Sequence, residues 1–135
     1  MNRPILFGYQ LLIGLSDTST GVMLIVAPEF TLHLMGLHVA ADSLPFLSFI
    51  GAFVLSVGLS CLYGTLIIGR PACVAQMETV WLLTAFARSG VAVFLISQIA
   101  ASTLESGWLT VAVSDGACVL IQAIGLRKGW LRHAA

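Results

Sequence analysis

Three ionisable side chains in this 135-residue chain, Asp17, Arg88 and Asp115, each stand inside a long apolar stretch. At the centre of a membrane-crossing helix each would cost roughly 2.5–3.5 kcal/mol on the insertion scale, so the three are expected to meet rather than stand alone. Arginine stays protonated and carries five N–H donors, enough to serve two carboxylates at once. One negative charge is then left over. A surplus of that kind is relieved by a bound proton, a cation or a water-filled cavity, and intramembrane carboxylates that change protonation are what proton relays and coupled carriers use. Three chemistries fit the trio. It is an ion cluster that only fixes helix pairing, a pocket in which Arg88 holds a small anionic or amphipathic ligand such as a quinone-like headgroup, or a centre that moves a proton. Nucleophilic catalysis has no support, because none of the three histidines falls in an apolar stretch to act as base and no cysteine has an evident partner.

The composition states which solvent these stretches are written for. Only 9% of residues are charged, 59% are apolar and the mean hydropathy is +1.01, whereas a soluble domain carries roughly 25% charged residues. Six Lys and Arg balance six Asp and Glu, so there is no basic face for nucleic acid. A bilayer-crossing helix needs about 20 mostly apolar residues, and four stretches qualify: 5–27, 46–68, 77–100 and 108–126. Arg3-Pro4, Pro28-Glu29, Pro45, Gly69-Arg70-Pro71 and Glu105–Gly107 punctuate them. The first is too long for the apolar core of a signal peptide and has Asp17 at its middle, so it reads as a span. The whole chain, 1–135, is expected to be one four-span domain.

Between the spans Lys and Arg fall on one side only, as Arg3, Arg70, Arg127, Lys128 and Arg132. The positive-inside rule then places both termini in the cytoplasm. Trp108 and Trp130, near the ends of the fourth span, suit the headgroup region. At about 1.5 Å per residue, Asp17 lies about 12 residues into its span, Arg88 about 11 into its own, and Asp115 about 11 before the end of the fourth. All three therefore share one level. Gln10, Gly14, Asp17 and Gly21 recur at helical spacing, as do Asp115, Cys118, Gln122 and Gly125, and Thr84 stands one turn from Arg88. Gln10 and Gln122 share a depth nearer the cytoplasm, so a polar ladder of Gln10, Gln122 and Thr84 is expected to lead to the charged cluster, and these six residues form the candidate ligand-binding set.

The remaining features are less specific. Phe30, Leu34 and Leu37 follow Pro28 at helical spacing, which predicts a short interfacial helix. Glu29, His33, His38 and Asp42 share that segment, but the histidines are five apart and off a common face, so no metal site is suggested. Cys61, Cys73 and Cys118 form no Cys-x-x-Cys pair and read as packing thiols. In the second span Ser48, Ala52, Ser56, Ser60 and Gly64 recur every four residues as a ridge of small side chains, with Gly51 and Gly58 as a second strip. Either allows close approach of another helix, from this chain, a second copy or a larger membrane complex.

The run from Gly14 through Gly21 and Pro28 to Met35-Gly36-Leu37, followed by a glycine-rich second span, resembles the small four-helix bacterial membrane proteins grouped as DoxX-like, over about the first 65 residues. The resemblance implies a four-helix integral membrane protein of the bacterial inner membrane, in a group some of whose members accompany quinone-linked oxidoreductases. It says nothing about Asp17, Arg88 or Asp115. The expectation is thus an all-α, integral membrane four-helix bundle, both termini cytoplasmic. Its Asp-Arg-Asp cluster binds a small anionic or amphipathic ligand or moves a proton with it; the alternative is a non-catalytic structural subunit with the cluster as internal glue. No cofactor is indicated.

Overall fold

The computed structural model describes residues 2–134, and among these there are six α-helices and no strand. The four long ones are α1 (Arg3–Val26), α3 (Leu44–Ile67), α4 (Val74–Ala100) and α5 (Leu109–Arg127), separated by short 3-10 turns and by α2 (Pro28–Leu34), and followed by α6 (Trp130–Ala134). Each long helix, with its leading turn, is long and apolar enough to cross a membrane. The four long helices lie where the four spans are expected, and their ends differ from the expected ones by at most three residues. Prolines set several of these ends. Pro4 and Pro45 sit in first turns, where the missing N–H costs nothing. Pro28 drives Ala27 out of the helical region, to φ −143° and ψ 65°, and so separates α1 from α2.

The short helix expected after Pro28 is present as α2. Phe30 and Leu34 are exposed, and it is Thr31 and Leu32 that are buried. Leu37 is buried as well, beyond the helix, because Gly36 adopts φ +68° and reverses the chain. The Leu37 amide then donates to the Leu32 carbonyl at 2.9 Å and the Gly36 amide to that of His33 at 3.1 Å, a glycine-terminated helix end. Leu32, Leu37 and Leu47 form one apolar cluster, with Trp108 against it. A second cluster, at the end that carries the termini, consists of Leu6, Ile67, Ile68, Met77, Trp81 and Leu131. Both tryptophans expected at headgroup depth thus pack on protein, Trp130 against the second cluster.

α1 packs most extensively on α3 and α4 on α5, with a smaller seam between α3 and α4. The first seam is close because glycines line it. A Cβ added at Gly51 would lie 2.9 Å from the Gly21 carbonyl oxygen, and one at Gly14 would lie 2.8 Å from the Leu62 side chain. Gly21 and Gly58 likewise leave no room for a side chain against the backbones of Leu55 and Thr18. The second small strip of α3, Gly51 and Gly58, is therefore the one used within the chain. Of the first ridge, only Gly64 is buried; Ser48 is half-buried, and Ala52, Ser56 and Ser60 face outward. Ser56 and Ser60 donate to the carbonyls of Ala52 and Ser56, each at 2.8 Å, so their hydroxyls are satisfied without a neighbour.

Candidate functional site

The inward stripe of α4 is Met77, Trp81, Thr84, Arg88, Ala92 and Leu95, spaced three and four apart and buried. It places three polar side chains against α1, α3 and α5 at successive turns. At the lowest of these turns the Trp81 indole N–H donates to Gln10 Oε1 at 2.9 Å, and Gln10 Nε2 donates to the Cys61 carbonyl at 3.0 Å. Both the glutamine and the tryptophan are 1% exposed or less. One turn on, Gln122 Nε2 donates to Thr84 Oγ1 at 2.9 Å, and Thr84 passes its own proton to the Val80 carbonyl at 2.8 Å. Gln10, Gln122 and Thr84 thus line the path to the charges, with Trp81 as an additional rung, but the two glutamines bond at successive turns of α4 and not at one depth.

Arg88 stands at the next turn. Its Nη1 donates to Asp115 Oδ1 at 2.5 Å and its Nη2 donates to Asp17 Oδ2. The guanidinium thus joins α1 and α5, which have no comparable seam of their own. The Arg88 side chain is 7% exposed, while those of Asp17 and Asp115 are 18% and 13% exposed, so the acids are the more reachable members. Each carboxylate uses one oxygen on the arginine, and among the described residues neither makes a further side-chain hydrogen bond. Two carboxylates on one guanidinium leave a formal excess of one negative charge, as the composition of the trio requires.

All six candidate residues, Asp17, Arg88, Asp115, Gln10, Gln122 and Thr84, line the same interior. Two neighbours escaped the sequence reading. Trp81 was legible as the start of a three-four spacing with Thr84 and Arg88. Tyr9 was not, because it flanks the Gln10 stripe by one residue and only its ring direction brings it inward. Its ring meets Trp81 edge-on, with centroids 6.0 Å apart, and its buried hydroxyl has no hydrogen-bond partner among the described residues. Among the described residues no three His, Cys, Asp or Glu side chains gather as a metal-binding group.

A shallow groove of about 250 Å³ opens outward between α3 and α4, lined chiefly by Phe53, Ser56, Ser60, Leu83, Thr84 and Ala87. Comparison with known proteins adds no relative: no family model matches the chain, and no curated protein or solved structure matches it.

Proposed function

We propose that this chain is a four-helix bundle of the bacterial inner membrane, with both termini cytoplasmic, whose Asp17–Arg88–Asp115 centre binds and releases a proton. One observation carries the reading: Arg88 gives one terminal nitrogen to each of two carboxylates. Both terminal nitrogens of the arginine are then engaged and the surplus charge is negative. That disfavours an additional anion at the guanidinium and favours a proton on one of the acids, since a bare charge in hydrocarbon is resolved by neutralisation. An amphipathic partner fits the reading as the species that moves with the proton.

A second reading is favoured by the same bridge. Arg88 fastens α1 to α5, which otherwise lack a seam, and this is the work of structural glue in a subunit of a larger complex. The outward residues Ala52, Ser56 and Ser60 would receive a helix of the partner, either a second copy or another chain.

Infrared spectra of the protein reconstituted in lipid distinguish the two. A proton-binding centre shows the carbonyl band of a protonated carboxyl at neutral pH, and the band disappears when Asp17→Asn and Asp115→Asn are combined. A wild-type protein with no such band leaves only the structural reading.

A further inference from the structure

Outside the charged centre, the basic and acidic side chains stand at opposite ends of the helices. Among the described residues, the end that carries the termini holds Arg3, Arg70, Arg127, Lys128 and Arg132, with Glu78 as its one acid, and Glu78 is taken by Arg132. The other end holds Glu29, Asp42 and Glu105 and no Lys or Arg. Within the basic end, the fold brings two cations together. Gly69 closes α3 at φ +75°, and the Arg70 amide donates back to the Ile67 carbonyl at 3.2 Å. Because Gly69 has no side chain, Arg3 of α1 lies across it: an added Cβ would be 2.6 Å from Arg3 Cζ and 2.8 Å from Arg3 Cδ. The Arg3 guanidinium therefore rests on the residue next to Arg70, and among the described residues neither arginine is paired with an acid.

We propose that Arg3 and Arg70, joined over Gly69, hold the phosphate of an anionic phospholipid. This goes beyond the Asp17–Arg88–Asp115 centre and does not depend on its protonation. Two cations brought together with no acid between them repel. A phosphodiester removes that repulsion, and its oxygens suit the paired N–H donors of guanidinium groups. Two features favour a lipid over phosphate free in solution. The site lies at the shared end of α1 and α3, both long and apolar enough to cross a membrane, and headgroups lie at the ends of such helices. Phe7 stands one turn along α1 from Arg3, and Leu66 one turn back along α3 from Gly69; they are 43% and 70% exposed. Acyl chains running down from the headgroup would meet apolar surface on both helices. The other cations are placed differently. Arg132 is occupied by Glu78, while Arg127 and Lys128 close α5, which lacks a comparable seam with α1. They add general attraction to an anionic surface, not a paired grip.

The test is the lipid retained by the full chain in a neutral detergent, read from the mass of the intact protein–lipid assembly at graded lipid concentrations. Phosphatidylglycerol is the anionic probe. Phosphatidylcholine with the same acyl chains, and glycerol phosphate, which has the charge without the chains, are the comparisons. Phosphatidylglycerol is expected to bind about tenfold or more tightly than either, from two basic residues acting together. Arg3→Gln and Arg70→Gln should each weaken it by about fivefold, the worth of one basic residue near an anionic surface, and Arg127→Gln should change it little. Both arginines are exposed, so neither substitution opens the core; Arg70→Gln decides the matter if Arg3→Gln does not fold. Equal retention of the two phospholipids, or a loss in Arg127→Gln as large as in the other two variants, overturns the site. Glycerol phosphate bound as tightly as phosphatidylglycerol overturns the lipid as its occupant.

Discussion

Gly58 of α3 fixes where Asp17 of α1 stands: a Cβ built on the glycine would lie 2.9 Å from the Asp17 carbonyl carbon and 2.6 Å from Thr18 Oγ1. The helices meet closely here because Gly58 has no side chain to hold α1 off, and small residues are the usual means of such approach in lipid. Gly58→Ala must push α1 outward and carry Asp17 with it. Overpacking of this kind costs about 1–3 kcal/mol. Thermal unfolding in detergent should show that loss, together with a weakened hold of Arg88 on Asp17. Gly116→Ala on α5 is the control, since nothing lies within 4 Å of its added carbon. It should be neutral or slightly stabilising, because glycine costs a helix interior about 0.5–1 kcal/mol relative to alanine. Equal losses at both positions would mean that close packing at Gly58 is not what holds the seam.

The two-to-one stoichiometry of the charged centre predicts an asymmetry between its members. Arg88→Gln strands two carboxylates near each other, and breaking a buried pair in this way costs about 3–5 kcal/mol. Asp115→Asn leaves a one-to-one pair of Asp17 with Arg88 and keeps an acceptor for Nη1. It should cost about 1 kcal/mol or less, the scale of one hydrogen bond. Adding Asp17→Asn and Asp115→Asn to Arg88→Gln should recover most of the lost stability, because no bare charge then remains. If Asp115→Asn proves as damaging as Arg88→Gln in thermal unfolding, the surplus-charge account fails.

The spans and the charged layer were legible in the sequence because both rest on large energies. Hydropathy over about 20 residues leaves little choice of solvent, and the cost of a bare ion in lipid obliges Arg88 to find acids at its own depth. What was not legible rests on smaller differences. Ser56 and Ser60 are as small as the packing criterion asks, yet their hydroxyls bond back to their own helix, and it is Gly51 and Gly58, with no side chain at all, that admit α1. The reversal at Gly36, which brings Leu37 back to Leu32 while Phe30 and Leu34 stay exposed, is a backbone feature that spacing does not encode. Tyr9 depends on a single side-chain direction, which spacing does not encode.

Gln10 joins three helices with one amide, receiving the Trp81 indole N–H and donating to the Cys61 carbonyl. Gln10→Leu keeps the bulk of the side chain and removes both bonds. The indole N–H is then left buried and unpaired, at a cost of about 1–3 kcal/mol. The emission spectrum and near-ultraviolet circular dichroism of the protein should change through Trp81, which is fully enclosed. Gln10→Glu retains an acceptor for the indole and should restore the tryptophan signal more fully than Gln10→Leu. Unchanged signals in Gln10→Leu would show that the indole bond does not order this rung.

The short α6 returns to α4 and α5 through two contacts of different kind, and their weights separate on mutation. Leu131 is 4% exposed and belongs to the apolar cluster with Leu6, Met77 and Trp81. Arg132 donates from Nε to Glu78 Oε1 at 2.9 Å, but its side chain is 73% exposed. The hydrogen bond and the charge of Glu78 raise the Arg132 guanidinium above its ordinary range. A cation raised in the folded state stabilises at every pH below its unfolded value and loses that effect only as pH rises through the folded one. Both lie far above neutrality, so the arginine contributes no pH dependence between about 6 and 9, and solvent and salt screen what the pair does contribute. Arg132→Gln is therefore expected to leave the unfolding temperature nearly unchanged across that window and at high salt. Leu131→Ala should cost about 2–5 kcal/mol and loosen α6, which limited proteolysis after Lys128 would detect. The opposite ranking would make the ion pair, and not the buried leucine, the contact that holds α6 over the end of the interior.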